Sequence, residues 1–116
     1  MAITIYHNPR CSKSRQTLDL LRQRGIEPER VEYLKEPPSP ETLDHLAGLL
    51  GLEPRQMMRH GESEYRELGL DDPALDRATL LRAIADHPRL LERPIVVNGD
   101  RAAIGRPPEK VLEILE

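Results

Sequence analysis

The order of apolar patterns along the chain predicts an α/β fold: strand, helix and strand, then a helical insert, then two strands and a closing helix, assembled on a mixed four-stranded sheet. Three observations carry this. A short alternating run, Ala2 to Tyr6, leads into a helical stripe and then into a second alternating run around Val31 and Tyr33. Links that short make one parallel crossover unit, right-handed by the usual chirality. Residues 39 to 88 are helical in pattern, and the last third changes period. There Pro94-Ile95-Val96-Val97 reads as a buried strand, Asn98-Gly99 is a strong hairpin signal, and Ala102 to Ile104 is the return.

Each element has a local reason. The first helix carries Leu18 and Leu21 on one face with Ser14 and Thr17 a turn back, and Gly25 stands where a C-terminal cap is wanted. Lys35-Glu36-Pro37-Pro38-Ser39-Pro40 cannot be regular structure, because its prolines remove donors and fix φ. Ser39 then caps a helix with Pro40 in its first turn and Leu43, Leu46, Leu49 and Leu50 on one face, stopped by Gly51. Helical signals from Glu53 to Leu68 are broken by Gly61, with Met57 and Met58 as core contacts. Asp76 caps a further helix bearing Leu80, Leu81 and Ile84, which ends before Pro88. After Arg106-Pro107-Pro108 a closing helix carries Val111, Leu112, Ile114 and Leu115. This order matches a thioredoxin-like architecture, one domain over residues 1–116 with the insertion at about 39–88.

Composition bounds the function. The core must be aliphatic, since the 116 residues include no Phe and no Trp. A net charge of −3 with both signs mixed gives no nucleic-acid footprint and no anionic-membrane surface. No apolar run approaches the ~20 residues of a spanning helix, and the N-terminus lacks a signal-peptide pattern, so a cytoplasmic protein is expected. With a single cysteine there is no intramolecular disulfide and no Cys-x-x-Cys pair. Any redox turnover must draw electrons from another molecule's thiol. His7, His45, His60 and His87 show no metal spacing, and no metal is expected.

The stretch that carries chemistry is Tyr6-His7-Asn8-Pro9-Arg10-Cys11-Ser12-Lys13-Ser14-Arg15. It places Cys11 between a strand and a helix start, where unpaired amides and the positive helix end favour a thiolate and offer a cradle for an anion. A lone cysteine is most often a small core hydrophobe. Arg10, Lys13 and Arg15, with His7 able to join them on protonation, argue that this turn faces water instead.

Rival loops fail on spacing. A low-molecular-weight phosphatase loop would need Arg where Thr17 stands, a P-loop would need glycines around Lys13, and a dithiol turn would need Cys in place of Ser14. Three later arginines could complete an oxyanion site: Arg59 after the Met pair, Arg93 before Pro94 and Arg106 before Pro107. Guanidinium forks suit a tetrahedral oxyanion by geometry and charge.

Together these residues resemble the glutaredoxin-coupled arsenate reductases, near the members with a Cys-Ser-Lys-Ser turn. The resemblance runs through His7-Asn8-Pro9-Arg10-Cys11 with Ser14-Arg15, then Met58-Arg59 with Glu64-Tyr65-Arg66-Glu67-Leu68-Gly69-Leu70. It continues through Arg93-Pro94-Ile95-Val96-Val97 and Ile104-Gly105-Arg106-Pro107-Pro108. It implies Cys11 as nucleophile, Arg59, Arg93 and Arg106 as oxyanion ligands, and His7, Ser14, Arg15 and a cis Pro94 in support. It also implies arsenate or a similar oxyanion as substrate, glutathione as co-substrate, glutaredoxin as partner and no resident cofactor. Ser12-Lys13 stands where characterised members carry Gly-Thr, and Arg10 replaces a small residue. Two other classes stay open: a monothiol oxidoreductase acting on glutathione mixed disulfides, and a polymerase-binding regulator, whose relatives carry a second cysteine where this chain has Ser14.

Overall fold

Four strands, β1 (Ile3–Tyr6), β2 (Glu29–Val31), β3 (Ile95–Asn98) and β4 (Arg101–Ile104), form one mixed sheet in the order β2-β1-β3-β4. β1 is parallel to β2 and antiparallel to β3, and β4 returns antiparallel to β3. The computed structural model describes residues 2–115. Their contacts fall into two compact units: one runs to Glu36 and resumes at Arg93, and the other spans Pro37–Glu92.

In the first unit, helix α1 (Ser12–Gln23) follows β1 and buries Ser14, Thr17, Leu18 and Leu21, a stripe at helical spacing. The stripe is polar at its N-terminal end and apolar after it, so one helix face serves the cysteine turn first and the core next. Ile5 and Val96, paired across β1 and β3, join Leu18, Leu21, Val111 and Ile114 in that core. Each such side chain contributes about 1.5–3 kcal/mol on burial. This is the thioredoxin-like α/β arrangement that the order of elements predicts.

Three local expectations shift. β2 stops at Val31 because the amides of Lys35 and Glu36 both donate to the Glu32 carbonyl, turning the chain; Tyr33 is buried in that turn, not in a strand. The hairpin loop is Gly99-Asp100, since Asn98 pairs with Arg101. Positive φ at Gly99 alone fits a turn with glycine at its first central position. The closing helix, Pro108–Ile114, is 3₁₀. Its buried residues, Pro108, Val111 and Ile114, recur every third position, which lines one face of a three-residue turn.

The second unit holds α2 (Pro40–Leu50), a 3₁₀ turn at Pro54–Met57, α3 (Ser63–Glu67), α4 (Arg77–Asp86) and a 3₁₀ turn at Pro88–Leu90. Its buried residues include Leu43, Leu46, Ala47, Met57, Met58, Leu80, Leu81 and Ile84. The caps fall where the sequence puts them. Ser39 Oγ accepts from the Thr42 amide at 3.1 Å, Asp76 from the Thr79 amide at 2.9 Å, and Gly51 closes α2 at φ 68°. A bridge between Met58 and Leu91 ties the middle of this unit to its C-terminal end.

Candidate active site

Cys11 is the N-cap of α1. The residue is 9 % exposed, while Arg10, Ser12 and Lys13 around it are exposed. Burial alone would push the thiol pKa up. The Ser14 amide, the charge of Arg93, the Lys13 amide and a hydrogen bond from Arg93 outweigh that and hold it below the usual thiol value. The thiolate is therefore favoured by amides of its own helix and by an arginine from the far end of the chain.

That arginine arrives through the sheet. β1 and β3 are central neighbours, with Tyr6 opposite Ile95, so the end of one strand and the start of the other meet at the same sheet edge. Arg93 precedes Pro94, and the peptide between them is cis, as is Arg106-Pro107. Nε and Nη1 of Arg93 are buried with no hydrogen-bond partner among the described residues. Native proteins rarely leave such donors unmatched, and two on one guanidinium beside a thiolate fit an acceptor-rich anion. Arg106 donates from Nε to the Arg93 carbonyl at 2.8 Å, and its Nη2 lies 3.9 Å from Cys11 Sγ. At that distance it is a loose contact, and Arg93 is the stronger cation at the sulfur.

The remaining turn residues are braces. Ser14 is fully buried; its Oγ is bonded to His7 Nδ1 at 2.6 Å and accepts from the Asn8 amide at 3.0 Å. Arg15 Nη1 donates to the Pro9 carbonyl at 2.9 Å, and Asn8 Oδ1 accepts from the Arg10 amide at 3.0 Å. Burial, then the charge of Arg30, holds the His7 pKa below the usual histidine value. His7 is thus a neutral hydrogen-bonding group at neutral pH and not a further cation. Of the cations that the sequence groups around Cys11, Arg15 holds the turn, and none rivals Arg93.

Two residues stand out only in the structure. A Cβ on Gly105 would lie 2.6 Å from Thr17 Oγ1 and 2.9 Å from Pro94 Cγ, so any larger residue would crowd the point where the chain leaves β4 beside Thr17 of α1 and Pro94. Periodicity carries no sign of this, because a glycine after a strand also reads as a plain turn. The second is Glu62. Arg59 lies in the other unit, where its guanidinium pairs with Glu62, which also bonds Arg89 at 3.2 Å. Glu62 and Glu64 are 16 % and 18 % exposed, while Ser63, Arg66 and Glu67 of the same short helix face water. Arginines packed against both carboxylates cover them.

Among the described residues no group of His, Cys, Asp and Glu could hold a metal ion, and no helix is long and apolar enough to cross a membrane.

The model of the ArsC family matches residues 6–114. The chain is 53% identical over 116 residues to an arsenate reductase of Haemophilus influenzae, covering 99% of this chain and 100% of that one. It is also 53% identical over 114 residues to the uncharacterized protein YfgD of Escherichia coli, covering 97% and 96%. The solved structure of an arsenate reductase from Vibrio cholerae is 54% identical and superimposes with a TM-score of 0.97 over 99% of this chain and 98% of that one. With a buried cysteine capping α1, an arginine before a cis proline beside it, and a match over nearly its whole length, the chain belongs to the ArsC family.

Proposed function

We propose that the protein is an arsenate reductase that uses its single cysteine as nucleophile and takes its electrons from glutathione and glutaredoxin. The observation that supports this most is the Arg93 guanidinium, with buried and unpaired donors beside a sulfur whose pKa is lowered. A tetrahedral oxyanion is the ligand that answers both features.

The Cys11 thiolate attacks arsenic, an As–O bond breaks, and the departing oxygen leaves as water after protonation. Arg93 and Arg106 offset the negative charge of the arsenate, which otherwise repels an anionic sulfur. A glutathione thiolate then bonds to the arsenic as a second As–O bond breaks and its oxygen leaves as water, and a glutaredoxin thiol attacks the glutathione sulfur, whose As–S bonding pair stays on arsenic. The two outside thiols leave as a disulfide, and arsenic passes from the pentavalent to the trivalent state. Water releases arsenite and restores the thiolate. Arg59 is a further oxyanion ligand on the strength of the family resemblance alone, and Arg59→Met is expected to raise KM for arsenate.

The test is arsenite production with glutathione and glutaredoxin present, each omitted in turn. Omission of either should stop turnover, and Cys11→Ser should abolish it. Glutathione-dependent turnover in Cys11→Ser would remove the nucleophile assignment.

A further inference from the structure

A cavity of about 300 Å³ opens beside the cysteine turn, walled on one side by residues 7–10 and on the other by Glu32, Leu34 and Lys35. That volume is at the low end for small-molecule sites. Both walls are pinned. The His7 amide donates to the Val31 carbonyl at 2.8 Å, the Cys11 amide to the Asn8 carbonyl at 3.0 Å, and the Lys35 amide to the Glu32 carbonyl at 2.9 Å. The lining mixes two cations, Arg10 and Lys35, with one carboxylate, Glu32, over an apolar surface from Pro9 and Leu34. Leu34 is 41 % exposed, one of two large hydrophobic residues so exposed among the described residues.

We propose that this groove seats the thiol co-substrate, a small peptide thiol with carboxylates at its ends and a free ammonium, as in glutathione. The inference deepens the reading above and rests on it for the identity of the reductant. The carboxylates of such a ligand meet Arg10 and Lys35, its ammonium meets Glu32, and its aliphatic stems lie on Leu34 and Pro9. Glu32 and Lys35 now face each other at 3.7 Å as an exposed pair, an interaction weak enough to be exchanged for ligand groups. An inorganic oxyanion has no use for a carboxylate or a leucine, so the groove is not a second arsenate site. Arg10 adjoins Cys11 in the chain, so a thiol held here is carried next to the turn that bears the sulfur.

S-methylglutathione, which keeps the charges and cannot reduce, provides the test. Titrated into the full chain and followed by NMR, it should shift the amide signals of His7, Asn8, Arg10 and residues 32–35. Its Kd should rise about threefold or more in both Lys35→Glu and Glu32→Lys, the effect of turning an exposed attraction into a repulsion. Both side chains are well exposed, so the substitutions leave the core alone. No binding, or equal binding by wild type and both variants, overturns the groove. This readout needs no turnover and is distinct from the arsenite assay. Arsenite production with an unchanged glutathione KM in both variants would keep the reductase and remove the groove.

Discussion

Gly105→Ala tests whether the arginine-bearing segment and α1 are packed as tightly as the structure says. The added Cβ would meet Thr17 Oγ1 at 2.6 Å, Pro94 Cγ at 2.9 Å and Thr17 Cγ2 at 3.2 Å. Thr17 cannot swing aside without loss, because it is fully buried and its Oγ1 donates to the Lys13 carbonyl at 2.8 Å. Overpacking of this kind costs about 1–3 kcal/mol, while alanine recovers about 0.4–1 kcal/mol by restricting the unfolded chain. Gly105 is not among the glycines with positive φ, so its backbone adds no strain. With each range taken at its middle the net is a loss of about 1.3 kcal/mol, read as a lower urea midpoint at unchanged slope. Thr17→Ala removes two of the three close contacts, so the double variant should be more stable than the sum of the single changes predicts by about 0.5 kcal/mol or more. Strict additivity, or a Gly105→Ala variant as stable as wild type, would refute the reasoning.

Other outcomes follow from the same geometry. Arg93→Met should move the pH midpoint of Cys11 alkylation by iodoacetamide upward, and Arg106→Met should move it less, because Arg93 joins the Ser14 and Lys13 amides in holding the thiol down while Arg106 touches the sulfur only loosely. The folded-state pKa of His7 lies below its ordinary 6.5, so the unfolded chain takes up this proton first. The associated stability is complete above 6.5 and falls as pH drops below it. Urea midpoints at pH 7 and about 5.5 should therefore fall further in wild type than in His7→Asn. Ser39→Ala removes the acceptor for the Thr42 amide and should cost about 0.5–2 kcal/mol of stability by urea unfolding.

Much of the fold was legible in the sequence because its signals are local. Ser39, Pro40 and Gly51 bracket α2, Asp76 starts α4, and the stripe of Leu18 and Leu21 sets the face of α1. Errors came where a tertiary or backbone effect overrode the pattern. The turn at Glu32 cut β2 short, and the last helix is 3₁₀, burying every third residue. In the site, Cys11 at a helix start could be read from strand, turn and helix in order. The rank of the cations could not. Arg10, Lys13 and Arg15 are near Cys11 in sequence, yet Arg93 reaches it through the pairing of β1 with β3. Glu62 is another such case, since its role depends on arginines gathered by the second unit.

The β1–β3 ladder makes the sulfur's reactivity contingent on finished folding. Arg106 touches a cysteine 95 residues earlier, and Arg93 reaches it only once the late strand has docked against the early one. Until then the thiol on the growing polypeptide titrates near the ordinary 8.5, mostly protonated and slow with electrophiles. Ribosomal synthesis thus delivers an inert side chain, and acquisition of tertiary structure arms it.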